Sequence, residues 1–148
     1  MEIDDQVEEK VRDTLHWAVK RQDRDFDAAL ARFSTRAERS AALELLVAIS
    51  RFVTYDLCAG TPSPGQVAAL AAEIAVAESW SGLSSDEVGS YLDLVTRGDL
   101  AQDQLTGEAF VVLSFVVSAS LLAMRPKQEG EWWFDYLDRV ESALEAAG

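Results

Sequence analysis

The sequence predicts an all-α fold: a single compact bundle of six to seven helices, one domain over residues 1–148, around one or two fully apolar central helices. Three observations lead there. Apolar residues recur at spacings of three and four rather than two, the period of a helix with one buried stripe. Ser, Thr, Gly and Pro fall at the ends of those periodic runs, where they start and stop helices. The stretch AFVVLSFVVSASLLAM, Ala109 to Met124, carries no charge in a chain with 26 acids and 13 Lys and Arg.

The first helix is expected from about Asp5 to Arg21. Val7, Val11, Leu15, Ala18 and Val19 share one side, with Glu8, Glu9 and Asp13 away from it. A short second helix, Arg24 to Phe33, aligns Phe26, Leu30 and Phe33. Ser34 or Thr35 then caps a long third helix ending at Ala59, with Gly60 as its stop. In TPSPG, Ser63 accepts from free backbone amides and Pro64 loses nothing at the first helical position, opening a fourth helix to about Ser79. Six alanines between Ala68 and Ala77 make that helix thin and suited to tight packing.

Ser84 and Glu87 form a capping box for a fifth helix, which ends near Thr96 before Gly98. Asp99 is read as the cap of a short turn and Thr106 as the opening of the apolar helix. Pro126 interrupts the chain, and a last helix runs from about Glu131 to Ala146. Around the apolar helix, large side chains point in every direction, so no side is left for water and the segment must be enclosed. Its serines, Ser114 and Ser118, are each expected to return a hydroxyl to a carbonyl one turn back. On this reading Leu113→Asp and Phe115→Asp both unfold the domain. The third helix, nearly as apolar from Ala42 to Cys58, is its natural partner, with the first, fourth, fifth and last helices wrapped around the two.

A formal net charge of -13 repels nucleic-acid phosphates and anionic lipid, which disfavours direct nucleic-acid binding. The sign serves solubility and, by itself, names no ligand. Sixteen uncharged residues fall short of the roughly 20 that span hydrocarbon, so no membrane is expected. A single cysteine, Cys58, forms no internal disulfide, and MEIDDQVEEK lacks the basic start and apolar run of a secretory signal, which together imply a reducing cytoplasm.

No catalytic motif survives inspection. His16, with Asp13 and Glu9 on the same polar face, offers too few firm ligands for a metal, so neither metal nor cofactor is expected. Asp135, Asp138, Glu141 and Glu145 read as a second solvated acidic face. Cys58 reads as an inert thiol among apolar neighbours. In RGD, Arg97 to Asp99, a helix stop followed by a cap explains the triplet.

Aromatic placement says more. Trp133, Leu137, Val140 and Leu144 form the inward stripe of the last helix, Trp132 lies on its shoulder, and Phe134 falls on the opposite side. Trp17 sits about 120° from the middle of the first helix's stripe. Large rings off the core stripe are frequent contact anchors. The sequence therefore points to a non-catalytic acidic interaction protein that self-associates, as a homodimer for example, and/or binds another polypeptide through Trp17, Trp132 and Phe134, its acidity suited to steering a partner that is basic. The alternative is a small-molecule sensor or carrier with an apolar inter-helix pocket walled by Tyr55, Trp80, Phe110, Phe115 and Met124, residues that equally describe a close-packed core.

Overall fold

The computed structural model describes residues 1–98, 107–125 and 129–148. Within them the chain forms seven α-helices, α1 Asp5–Val19, α2 Asp23–Leu30, α3 Arg36–Cys58, α4 Pro64–Ala77, α5 Ser85–Arg97, α6 Glu108–Met124 and α7 Trp133–Ala147, with no strand. A 3-10 turn, Ser79–Ser81, follows α4. The expected cap at Asp99, helix opening at Thr106 and break at Pro126 lie outside the described residues.

Capping chemistry sets most boundaries. Asp4 accepts from the amides of Gln6 and Val7 to start α1, and Thr35, not Ser34, accepts from the amide of Glu38 to start α3. Ser63 with Gln66 and Ser84 with Glu87 close reciprocal capping boxes at α4 and α5. Several ends differ from expectation. Arg21 does not continue α1: it takes a left-handed φ of 55°, and the amide of Gln22 turns back to the carbonyl of Trp17. The left-handed stop of α3 is Ala59, one residue before Gly60. Helix α2 ends at Leu30 rather than Phe33, and α4 at Ala77 rather than Ser79.

Helices α3 and α6 pack along each other at the centre, and α1, α4, α5 and α7 each touch one or both of them, with α2 held on α1. Val116, Val117, Leu121 and Leu122 of α6 meet Leu45, Leu46, Ile49 and Val53 of α3 in one continuous core, which takes in Leu15, Ile74, Leu92 and Val140 from the surrounding helices. Every residue from Ser114 to Leu122 is buried, as a helix with no polar side requires. Enclosure is incomplete at its start. Phe110 to Leu113 are half-buried and Ala109 is exposed, so Leu113 is not the core residue its place in the apolar run implies, whereas Phe115 is fully buried between Phe26 and Phe33. Helix α4 is likewise only partly used: Ala71 sits against Gly89 of α5, while Ala68, Ala69, Ala72 and Val76 face outward.

Buried hydroxyls bind the centre together. Ser114 donates to the carbonyl of Phe110 as expected, but Ser118 turns across to α3. Its proton goes to the Leu46 carbonyl at 3.3 Å, which leaves Ser50 to donate to Ser118 and Tyr91 to donate to Ser50, both at 2.8 Å. The result is a directed chain from α5 through α3 to α6. Burial pushes the Tyr91 phenol pKa up, keeping that group neutral and a donor.

Candidate functional site

Among the described residues, the large hydrophobic side chains left exposed are Val76, Trp132 and Phe134. Val76 stands alone on the outer face of α4. Trp132 and Phe134, 65% and 40% exposed, stand together, with ring planes 4° apart and centroids separated by 6.5 Å. Local chemistry explains the pairing. The Asp135 carboxylate accepts from the amide of Trp132 at 2.8 Å, so α7 begins at Trp133 rather than Glu131. Trp132 therefore precedes the helix in extended backbone instead of lying on its shoulder, and its ring stacks outward on Phe134. Trp133 turns inward and meets Phe134 edge-on at 5.8 Å.

Phe134 and Trp133 form one wall of a groove of about 450 Å³ between α7 and α1. The opposite wall is the polar face of α1, with Glu9, Arg12, Asp13 and His16, and Arg32 also lines the groove. Arg12 ties the walls. Its Nε reaches Glu8 at 2.7 Å, its Nη2 reaches Asp138 at 2.7 Å and Glu141 at 2.8 Å, and its Nη1 reaches the Phe134 carbonyl at 3.5 Å. Glu141 and Asp138 are thus not a free acidic face. Glu141 is buried, its Oε2 has no partner among the described residues, and burial followed by the charge of Glu8 raises its pKa to about 7.

Of the three aromatics expected at an interface, the structure brings two together. Trp17 does not join them: it is half-buried against the core and meets His16 edge-on at 4.8 Å. His16 lines the groove, and Asp13 beside it is taken by Arg32 at 2.9 Å. No group of three or more metal-ligating side chains is found among the described residues. Burial pushes the Cys58 thiol up in pKa, away from the thiolate that attack requires.

Of the residues expected to wall an apolar pocket, two share a neighbour and the other three pack elsewhere. Phe115 and Trp80 both pack edge-on against Phe26, at 6.2 and 5.6 Å. Phe110 meets Tyr91 and borders an open surface cleft of about 500 Å³ with Leu94 and Leu113. Tyr55 donates its hydroxyl to the Thr96 carbonyl at 2.9 Å, and Met124 is partly buried at the far end of α6.

Two polar clusters had no sequence signal. Glu78, 4% exposed, accepts from Trp80 Nε1 at 2.9 Å, from Ser120 at 3.1 Å, and from Arg21 at 3.2 and 3.3 Å. Asp56 accepts from the Tyr136 hydroxyl at 2.6 Å and from Arg125 at 2.7 Å, bonds that lower its pKa in that order. Both clusters join elements far apart in sequence, and both are closed by their own partners. No helix among the described residues is long and apolar enough to cross a membrane. Comparison with protein-family models, with curated proteins and with solved structures returns no match, so the role of the groove and its aromatic pair has to be argued from their own residues.

Proposed function

We propose that this chain is a non-catalytic interaction protein, and that its docking face is the Trp132–Phe134 pair with the groove between α1 and α7. The observation that carries the reading is the stacked pair itself. Two large rings partly left in water forgo part of the stabilisation that full burial gives, about 1.5–3 kcal/mol for a whole Phe side chain, and a contact surface is where such rings recover it. They sit beside a groove whose walls are held by Arg12, so a partner meets a preformed surface. The partner is another polypeptide or a second copy of the chain, and the lone half-buried thiol Cys58 fits a reducing, cytoplasmic setting.

The test is the double variant Trp132→Ala/Phe134→Ala. Both rings are outside the core, so the melting temperature should stay close to that of the native chain. Self-association by light scattering, or recovery of a partner from the native host, should be lost with the variant and retained with the native chain. Equal association by the two proteins would remove the reading.

A further inference from the structure

The charges around the aromatic pair identify the kind of partner, an inference that rests on the docking face just proposed. Among the described residues, both arginines that line the groove are already occupied by carboxylates of the same chain. Arg12 spends its donors on Glu8, Asp138, Glu141 and the Phe134 carbonyl, and Arg32 is held by Asp13 at 2.9 Å. The carboxylates are in surplus. Glu9 is exposed in the groove wall with no ion pair among the described residues, and three acids gather on the single charge of Arg12. Among the described residues, an anionic partner finds both arginines that line the groove already paired. A second copy brings another formal charge of -13 and the same acidic groove. An Arg or Lys side chain finds both things it can use: ring faces that attract a cation, and an unpaired carboxylate beside them.

We infer that the groove between α1 and α7 receives a basic polypeptide segment, with an Arg or Lys side chain lying over the exposed Trp132 and Phe134 rings and another reaching Glu9. Trp132 presents the larger and more exposed face, and Glu9 stands on the opposite wall, so one extended or helical segment can engage both. The remaining acidity of the chain steers the approach of such a partner without fixing where it lands.

The experiment titrates the full chain with fluorescently labelled short peptides carrying Arg at helical spacing on an Ala and Leu background. Counterparts in which every Arg is replaced by Gln or by Glu serve as controls. Binding is read by anisotropy at two salt concentrations. The Arg peptides should bind and weaken with salt, whereas the Gln and Glu peptides should not bind. Trp132→Ala/Phe134→Ala should weaken binding by about tenfold or more, as loss of an anchor does. Glu9→Gln should weaken it several-fold, and Glu73→Gln, the same charge change on the outer face of α4, should leave it unchanged.

Equal effects of Glu9→Gln and Glu73→Gln, or equal binding of the Arg and Gln peptides, would overturn the inference. If no Arg peptide binds while the double aromatic variant abolishes association in the earlier test, the docking face stands and the basic partner falls. If the double variant alters neither association nor peptide binding, the docking face falls with it.

Discussion

Glu141 makes the protein's stability depend on pH in a direction opposite to ordinary acid denaturation. The residue is 9% exposed, and its carboxylate shares one guanidinium with Glu8 and Asp138 and has one buried oxygen without a hydrogen-bond partner among the described residues. Burial, then repulsion from Glu8, raises its pKa from 4.5 to about 7, with Arg12 acting against the rise. A carboxyl whose pKa is raised by folding favours the folded state when protonated. Its contribution is fully present below the unfolded value and is lost as pH increases through the folded value. Between pH 8 and pH 5 the protein should therefore gain stability as the solution becomes more acidic. At about 1.4 kcal/mol for each tenfold change in proton affinity, the upper bound is about 3 kcal/mol. In a chain of this length that corresponds to a rise in melting temperature of roughly 5–10 °C.

Other shifted carboxylates do not enter this window. Glu38, held by Lys10, and Asp56, held by Tyr136 and Arg125, have lowered pKa values, so their contributions are lost only in stronger acid. General relief of repulsion in so acidic a chain adds its own slope, and the variant Glu141→Gln separates the two effects. Arg12 keeps Glu8 and Asp138 in that variant and is not stranded. Calorimetric melts from pH 5 to pH 8 should show Glu141→Gln more stable than the native chain at pH 8, with the gap closing toward pH 5. Parallel curves for the two proteins would refute the reasoning.

The interior gives three more tests by urea unfolding. Ser50→Ala cuts the hydroxyl chain at its middle and leaves the Tyr91 proton and the Ser118 oxygen buried without Ser50, at a cost of about 2 kcal/mol, whereas Tyr91→Phe removes only the terminal donor and should cost less; the reverse order would contradict the assigned bond directions. Phe115→Ala should cost about 3–5 kcal/mol, while Leu113→Ala, at a half-buried cleft residue, should cost about a third of that; similar losses would place Leu113 in the core after all. Glu78→Gln points an amide N–H₂ toward donors from Trp80, Ser120 and Arg21, and should cost about 1–3 kcal/mol with a shift in tryptophan emission; an unchanged midpoint and spectrum would show that Glu78 does not organise that corner.

What the sequence allowed to be read, and what it hid, follows from range. Helix starts at Ser63 and Ser84 are legible because the cap and the capped amide are three residues apart, and enclosure of α6 is legible because an uncharged helix has no alternative in water. The spacing starts the last helix at Glu131, two residues before its actual start at Trp133, and so places Trp132 inside it. The signal was available in Asp135, three residues on, whose carboxylate captures the Trp132 amide and starts the helix late. Glu141 reads as solvated on a helical wheel because the wheel of α7 contains no Arg12, which arrives from a helix 129 residues earlier. Ser118 looked self-satisfied for the same reason: its partners Ser50 and Leu46 lie on α3. Arg21 gave no sign of stopping α1, since the left-handed stop is a glycine's habit, and here the side chain that replaces glycine is engaged by Glu78.

The excess of acid and the joints between helices are two sides of one distribution. Cations in this chain are concentrated where elements meet: Lys10 on Glu38 between α1 and α3, Arg12 between α1 and α7, Arg21 on Glu78 beyond α4, Arg51 on the Val95 carbonyl between α3 and α5, and Arg125 on Asp56 at the ends of α6 and α3. With cations drawn into those joints, the outward faces of α1 and α7 keep their carboxylates unbalanced, and the groove between them inherits the excess. Exposed pairs such as Arg32 with Asp13 contribute little to stability individually, about 0–1 kcal/mol, and weaken with salt. The buried carboxylates, Glu78 and Glu141, do not have that latitude, because removing the guanidinium that faces either one leaves a charge shielded from solvent. Salt should accordingly weaken the capture of a basic segment much more than it weakens the fold, since the first depends on exposed carboxylates and the second on a core and on charges already shielded from water.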